Sequence, residues 1–169
     1  KQKNLRLNYR GSTDQPSMTD LMPITNDTDP LNISKGNPDL KPSFTNKFVL
    51  EYNNYIQHRQ NAIMAFIDYQ NTQNSVSTMV RYDPATGGRT TQPMNINGNW
   101  KVKSAFMYNT SLDTVGVWSA NSFTQLTYNN RVSYVNLQRS AEPDKNYTRT
   151  TGISERLGFS YRNSWLEVE

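Results

Sequence analysis

The chain is built from segments in which apolar and polar side chains alternate. The clearest segment covers residues 99–112. One of its faces carries Trp100, Val102, Ser104, Phe106, Tyr108, Thr110 and Leu112, and the other carries Asn99, Lys101, Lys103, Ala105, Met107, Asn109 and Ser111. Successive side chains of a strand point to opposite faces of a sheet. The alternation therefore predicts a strand with one apolar and one polar face.

Similar alternation predicts strands over residues 4–10, 43–52, 61–70 and 150–162, and a less regular one over 117–129. In 61–70 both faces are rather apolar, so the faces stay unassigned. A helix is the rival interpretation there, although the β-branched and aromatic residues favour a strand. Phe123 falls out of phase, which predicts a bulge near Ser122. Asn46 and Glu155 are polar residues among apolar positions.

The connections between these strands alternate in length. The predicted long connections are 11–42, 71–98 and 129–149, and the short ones lie near 53–60, 113–116 and 163–164. This predicts an up-and-down antiparallel meander with large loops at one end and tight turns at the other. Strands of about ten residues with one apolar face are typical of a transmembrane β-barrel. Aromatic residues near the strand ends suit interfacial girdles: Tyr52, Tyr69, Trp100, Tyr108, Trp118, Tyr128 and Tyr161.

Local signals organise the long connections. Asp14 is a candidate cap for one helical turn that contains Met18, Leu21 and Met22. Pro38 and Pro42 make Gly36–Pro42 a rigid turn that leads into the strand at 43–52. We expect 71–98 to be irregular, with Met79, Val80 and Tyr82 extending a strand beyond the main sheet.

Composition narrows the class of protein. The 169 residues are 34% hydrophobic and 19% charged, and their net charge is +4. The aromatic content of 11% argues against disorder. The chain has no cysteine, so it is not a disulfide scaffold. Its Lys and Arg residues are scattered, which supports a polyanion partner only weakly, and we expect no nucleic-acid partner.

The ends of the chain suggest a piece of a longer protein. The first residues already alternate like a strand and contain no apolar signal-peptide core. We expect residues 1–169 to be a single fragment of a barrel domain, with any export signal upstream. In isolation it should form a meander of about six to eight strands with edge-to-edge association, because open edges and apolar faces attract partners.

Residues 4–55 carry a recognisable series of motifs. A strand ends at Tyr9, Pro16-Ser17 follows, then a turn with Leu21 and Pro23, and then the GNPDLKP loop at 36–42. This series resembles the β-barrel segment of TonB-dependent-receptor-like outer membrane proteins of Bacteroidetes. Beyond residue 55 the likeness consists of alternation and loop lengths.

The resemblance implies a barrel of about 22 strands in the outer membrane of a Gram-negative bacterium. It implies uptake of a nutrient, such as a glycan or a metal chelate. The partners would be the lipid bilayer, the rest of the barrel and its plug, an unidentified extracellular nutrient, and an energy-coupling periplasmic partner that is contacted through regions outside this fragment.

Catalytic chemistry is not indicated. His58 is the only histidine, so there is no histidine cluster for a metal. It falls in a predicted short turn, where we expect an exposed polar role, and no Ser-His-Asp candidate is evident. Glu51, Asp68 and Glu155 lie on different predicted strands, with no reason to converge. Asp27 and Asp29 lack the rest of a calcium loop. We predict no enzyme activity and no catalytic, cofactor or metal residues, and the ligand-binding residues stay unassigned.

Two alternatives remain. The first is a soluble β-sandwich module that stacks sugars on Trp100, Trp118 or Trp165, in which the apolar faces would meet each other in a closed core. The second is a carbohydrate-active enzyme, which lacks a catalytic constellation. Convergence of Phe48, Trp100, Val102 and Phe159 on one sealed interior would favour the sandwich.

Overall fold

The structure is a computed structural model that describes residues 2–56, 61–136, 144–163 and 166–168. These residues form eleven strands in one sheet and a single helical turn. The elements are β1 (Gln2–Asp14), α1 (Met18–Leu21), β2 (Thr25–Asn26), β3 (Asn32–Lys35), β4 (Ser43–Ile56), β5 (Asn61–Gln73), β6 (Ser75–Tyr82), β7 (Arg89–Ile96), β8 (Asn99–Ser111), β9 (Trp118–Asn136), β10 (Asp144–Asn163) and β11 (Leu166–Val168).

The main part of the sheet is an antiparallel meander. Its spatial order is β1, β4, β5, β8, β9, β10, β11, and each neighbour pairs antiparallel with the next. Neighbouring strands in this order also follow each other in the sequence, except that short strands lie between β1 and β4 and between β5 and β8. The predicted all-β, up-and-down meander is therefore confirmed.

The connections 15–42 and 74–98 contain short strands, and these strands form a second part of the same sheet. β6 and β7 form a hairpin, β3 pairs parallel to β7, and β2 pairs with β3. β6 attaches to the part of β9 that extends beyond β8, through Val80↔Val135 and Arg81↔Asn136. We call β2, β3, β6 and β7 the outer subsheet. It stands at the long-loop end of the meander.

The predicted irregular segment 71–98 is thus largely a hairpin. The extension of a strand through Met79, Val80 and Tyr82 is confirmed. A turn at 83–88 joins the two strands, and in it the amide of Asp83 donates to the carbonyl of Gly88 at 2.8 Å. The chain leaves the main sheet at Asn74, whose φ is 51°. Asparagine tolerates this left-handed conformation better than most residues.

Residues 36–42 dock on β7 through carboxamides. Asn37 Nδ2 donates to the carbonyl of Pro93 at 2.9 Å. The Asn95 side chain accepts from the amide of Lys41 at 2.8 Å and donates to the carbonyls of Lys41 at 2.9 Å and Asn74 at 2.8 Å. These bonds join the β1–β4 connection to the β5–β8 connection, so the rigid turn predicted from its prolines also has a fixed position.

Gly36 is required by a close approach of two backbones. A Cβ added there would lie 1.8 Å from the carbonyl oxygen of Met22. The amide of Gly36 donates to the carbonyl of Ile24, and the amide of Asn37 donates to that of Asp20. The helical turn α1 and the docked turn are consequently packed against each other without room for a side chain.

The buried apolar residues of the described ranges lie at the long-loop end of the molecule. They are Leu40 in the turn at 36–42, Met79 on β6, Ile96 on β7 and Val132 on the part of β9 that extends beyond β8. By contrast Phe48 and Phe159 on the main strands are 42% and 68% exposed. The apolar faces do not close on a sealed interior, so the β-sandwich alternative is wrong.

Several predicted boundaries need correction. β1 continues through Gly11 to Asp14, where a break was expected, because each residue pairs with β4. The cap of α1 is Ser17, whose Oγ accepts from the amide of Asp20, and not Asp14. Most of the described part of 129–149 is strand, because β9 and β10 pair with each other well beyond the end of β8.

β9 contains no bulge. Its register with β8 and with β10 is continuous through Ser122 and Phe123. Phe123 therefore lies on the opposite face from Trp118 and Leu126, which explains its phase. The sequence pattern broke because that face is locally apolar, not because the strand gains a residue.

The described turn at the opposite end is organised by Asp113. Burial by itself would raise the pKa of the Asp113 carboxyl, but hydrogen bonds from the amides of Trp118, Val117 and Gly116 and from the Ser111 hydroxyl outweigh it and lower the pKa. The tight turn predicted at 113–116 is confirmed. Within the described ranges, no helix has the length and apolarity needed to cross a membrane.

We predict that Asn95→Ala loosens the outer subsheet, because it removes the two side-chain hydrogen bonds to Lys41 that join the two connections and a third to the carbonyl of Asn74. The expected loss is about 1–3 kcal/mol of local stability. Limited proteolysis in detergent should cut 15–42 faster than in the parent chain. Asn8→Ala is the control, since Asn8 is exposed and makes no side-chain hydrogen bond to the described residues. Equal cutting rates in the Asn95 variant and the control would contradict the prediction.

Candidate functional site

The register sorts the side chains of the main meander into two faces. One row across adjacent strands contains Leu7, Leu50, Ile67, Ser104, Leu126 and Ile153. We call this side the apolar face. Another row contains Arg10, Lys47, Gln70, Lys101, Asn129 and Thr150, and we call that side the polar face. The faces of 61–70 are now assigned: Ile67 and Tyr69 lie on the apolar face.

An aromatic row crosses five strands on the apolar face. Its members are Tyr9, Phe48, Tyr69, Trp100 and Tyr128, and successive ring centroids lie 4.9, 6.4, 6.3 and 4.9 Å apart. These separations are those of favourable aromatic pairs. The row lies toward the long-loop end of the strands.

A second aromatic contact marks the other border. The rings of Trp118 and Tyr161 lie 4.7 Å apart. Trp118 and Tyr128 are ten positions apart on β9. With a rise of about 3.3 Å per residue and a tilt of about 40°, the borders lie about 25 Å apart. That height matches the apolar band of a transmembrane barrel. Of the residues predicted for the girdles, Tyr69, Trp100, Tyr128, Trp118 and Tyr161 lie at the borders. Tyr52 and Tyr108 were wrongly included, because their pairing with Ala65 and Ser122 places them within the band.

The polar residues Asn46 and Glu155 both lie on the apolar face. Asn46 pairs with Asn71 just beyond the aromatic row, and Asn46 Oδ1 accepts a hydrogen bond from the Tyr9 hydroxyl at 2.9 Å. Asn46 therefore marks the edge of the apolar band. Glu155 lies within the band, where its carboxylate accepts from the Ser122 hydroxyl at 2.9 Å.

The polar face carries a cavity at the long-loop end of β5, β8 and β9. Its volume is about 200 Å³. It is lined by Gln70, Thr72, Asn99, Lys101, Asn129 and Arg131 of the polar face, together with Ser75 at the start of β6 and with Trp100 and Asn130, which have the phase of the apolar face. We call it the mouth cavity. Asn99 is held in place because its Oδ1 accepts from the amide of Val132 at 2.7 Å.

Cations cluster around the mouth cavity. Arg10, Lys47, Lys101, Lys103 and Arg131 lie on three successive rows of the polar face. The one carboxylate in these rows, Asp68, lies 3.0 Å from Lys47 Nζ. Within the described residues, neither Lys101 nor Arg131 has an ion pair or a side-chain hydrogen bond. Both are available to a ligand.

A second cavity lies further from the mouth on the same face. It has a volume of about 300 Å³ and is mainly apolar, with Met64, Phe66, Met107 and Phe123 among its lining residues. This local apolar surface is the reason that 61–70 and 117–129 did not alternate cleanly.

The candidate residues considered from sequence come together only in part. Glu51 and Asp68 are diagonal neighbours on the polar face, because Glu51 pairs with Phe66 and Asp68 lies two residues further along β5, whereas Glu155 lies on the apolar face. Trp100 and Trp118 contact aromatic rings of the apolar face, so they do not form a sugar-stacking surface on the polar face. His58 and Trp165 lie outside the described residues. No group of three potential metal ligands occurs in the described ranges.

The carboxylate of Asp29 forms hydrogen bonds within its own loop. Its carboxylate accepts from Asn32 Nδ2 at 2.6 Å and from the amide of Leu31 at 3.0 Å. The hydrogen bond from Asn32, followed by that from Leu31, lowers the pKa of the Asp29 carboxyl. The expectation of an ordinary loop carboxylate agrees with this geometry.

Together these features define a class of protein: an antiparallel sheet that presents an apolar band of membrane height, bordered by aromatic rings, on one side and polar groups on the other. Residues 1–165 match the family described as outer membrane protein beta-barrel family. The chain belongs to this family, and its location is the outer membrane of Gram-negative bacteria. Searches of curated proteins and of solved structures each found no match.

Because the chain belongs to this family, the surroundings of the apolar face and of the polar face can be assigned. In such barrels apolar residues face lipid, polar residues face the interior, and the longer loops are extracellular. The outer subsheet and the mouth cavity therefore lie at the extracellular end, and the cavity opens to the barrel interior.

The sequence did not reveal the mouth cavity. Its residues extend from Gln70 to Arg131 in the sequence and carry no motif. The only sequence signal was that Lys101 and Arg131 fall on the polar phase of their strands, and that signal is shared by most cations of the chain.

We predict that Leu5→Arg destabilises the folded protein in phospholipid vesicles by about 2–4 kcal/mol, because Leu5 lies deep in the apolar band and a cation there faces lipid. Leu5 is 68% exposed on the apolar face, four residues from Tyr9. Asn4→Arg, on the opposite face of the same strand, is the matched control and should change the free energy of unfolding little. Urea titration measures both. Similar losses in the two variants would contradict the assignment of faces.

We predict that cysteine substitutions at Lys101 and Val102 react differently. The chain has no native cysteine, so each variant has one thiol. A charged, water-soluble thiol reagent should modify Lys101→Cys, which lines the mouth cavity, but not Val102→Cys, which faces the bilayer. Mass spectrometry of the protein in vesicles measures the modified fraction. Equal reactivity toward the charged reagent would show that the assignment is wrong.

Proposed function

We propose that this chain is part of a TonB-dependent-receptor-like protein that takes up a nutrient across the outer membrane of a member of the Bacteroidetes. In this proposal residues 1–169 form one section of the wall of a larger barrel, of about 22 strands. The plug and the contact with an energy-coupling periplasmic partner belong to other regions. The proposal assigns no catalytic step and no nucleic-acid partner to the chain.

One observation carries the proposal: the mouth cavity lies on the interior face directly beside an ordered extracellular subsheet. The connections 15–42 and 74–98 are held against the strands and against each other. The subsheet pairs with β9, and residues 36–42 are hydrogen-bonded to β7. An ordered rim beside a polar recess is suited to hold a solute before its passage, because little conformational entropy is lost when the solute binds.

The lining of the cavity supports binding of a polar solute. Gln70 and Asn129 supply carboxamides, Thr72 supplies a hydroxyl and Lys101 supplies a cation. Carboxamides both donate and accept hydrogen bonds, so they match the hydroxyl groups of glycans and the oxygen ligands of chelates. These side chains therefore favour the binding of a glycan or a chelate over the binding of an apolar nutrient.

We predict that Asn129→Trp, which fills the mouth cavity, lowers uptake by at least about tenfold, since a lost binding site of modest strength corresponds to more than one factor of ten in affinity. Cells producing the variant are given a panel of radiolabelled oligosaccharides and ferric chelates. Asn8→Trp is the matched control, because it adds the same side chain to the polar face at β1, outside the cavity. Amounts of folded protein in the outer membrane are equalised first.

A protonophore should stop uptake while leaving binding to the cell surface intact, because the proposed transport depends on energy from the inner membrane. Uptake that continues without this energy would contradict a receptor of this kind. Uptake that is the same in cells lacking the protein would contradict a role in nutrient transport altogether.

A further inference from the structure

We propose that the ligand of the mouth cavity is a hydroxyl-rich anion, and that Lys101 and Arg131 bind its negative groups. This inference rests on the proposed function, because it names the ligand class of the same site. It follows from the balance of charge around the cavity, from the spacing of the two cations and from the amides between them.

The charge around the cavity is unbalanced. Of the five cations on the three rows, Lys47 is paired with Asp68. Arg10, Lys101, Lys103 and Arg131 have no ion pair among the described residues. The other carboxylates of the polar face lie away from the cavity: Glu51 faces Arg6 across β1 and β4, and Asp14 and Asp144 lie at strand ends. An anion at the cavity therefore meets several unmatched positive charges.

Lys101 and Arg131 are placed to bind one anion together. Lys101 pairs directly with Asn129, so Arg131 is its diagonal neighbour on β9. Diagonal neighbours of an antiparallel pair lie about 7–8 Å apart at their Cα atoms, within reach of long side chains. The lysine supplies a mobile point charge, and the arginine supplies a planar fork that suits a carboxylate, phosphate or sulfate.

The groups between the cations are neutral and polar. Gln70 pairs with Lys101, Thr72 pairs with Asn99, and Asn129 lies beside Arg131. Asn99 has its Oδ1 occupied by the amide of Val132, which leaves its NH2 group as a donor. A ligand with hydroxyl groups next to its anionic group uses both parts of this lining, whereas a simple inorganic anion uses only the cations.

The cations that have no ion pair among the described residues lie on β1, β8 and β9 of the main meander, and the connections carry no comparable excess of positive charge. The connections 15–42 and 74–98 together contain five aspartates, Asp20, Asp27, Asp29, Asp39 and Asp83, and four cations, Lys35, Lys41, Arg81 and Arg89. They are close to neutral, so they do not attract polyanions in general. Attraction is concentrated where the barrel opens, and it acts within about 10 Å at moderate salt.

Two sources supply this chemistry: an acidic oligosaccharide, with uronate or sulfate groups, and a metal chelate of a hydroxycarboxylate. The experiment is isothermal titration calorimetry on the protein purified from outer membranes in detergent. The probes are a galacturonic acid oligomer, the same oligomer with methyl-esterified carboxyls, a glucosamine oligomer and ferric citrate. The first or the last should bind best, and which of them does so identifies the source.

Two further results are expected for the bound anion. Affinity should fall when salt is raised from about 50 to about 300 mM, because exposed charges are then screened. The double variant Lys101→Gln, Arg131→Gln should lose at least about tenfold in affinity for the anion and change little for the esterified oligomer. Arg156→Gln, which removes a cation from the same face outside the cavity, is the matched control and should bind like the parent.

Strongest binding of the neutral or the cationic oligomer, or no binding of either anionic probe at millimolar concentration, would overturn the inference. So would equal losses in the Arg156 variant and the double variant. The outcomes are distinguishable from failure of the proposed function. A receptor that shows energy-dependent uptake blocked by Asn129→Trp, yet prefers a neutral oligomer, keeps its function and loses only the assigned ligand class.

Discussion

The continuous register of the antiparallel ladder is the constraint on which the rest of this molecule depends. From β1 to β10 each strand pairs residue by residue with its neighbour, without a bulge. A slip of one residue between two strands would move every side chain of one strand to the opposite face. The aromatic row, the apolar band and the cluster of cations therefore share a single cause, which is the phase of the strands relative to each other.

That register also separates two environments across one layer of backbone. Leu50 and Lys47 belong to the same strand, yet one faces hydrocarbon and the other the barrel interior. Hydrogen bonds between strands satisfy the backbone groups, so only the side chains decide which side meets lipid. Glu155 is the polar group inside the apolar band, and its bond from Ser122 supplies part of the polar contact that lipid cannot offer.

At the extracellular end, side-chain amides add to the backbone pairing of β3 with β7. Asn37 and Asn95 form further hydrogen bonds between the same two connections, which are distant in sequence, and the buried apolar residues Leu40, Met79, Ile96 and Val132 lie at this end of the molecule. The result is an ordered rim beside the mouth cavity, whereas the cations of the cavity are positioned by the pairing of β8 with β9.

The alternation in the sequence was sufficient to predict the strands, the direction of the meander, the two ends and the aromatic girdles, because a strand with one wet and one apolar face has a period of two. It could not assign the faces of 61–70, and it misread Phe123 as a bulge, because Met64, Phe66, Met107 and Phe123 make part of the polar face locally apolar. It also treated 71–98 and 129–149 as loops, because their polar and turn-forming residues obscure the alternation. The first segment is largely the β6–β7 hairpin, and the described part of the second extends β9 and β10. The mouth cavity was decided by tertiary structure alone: Gln70, Lys101 and Arg131 become neighbours only when three strands are aligned, and nothing in the local sequence sets that alignment.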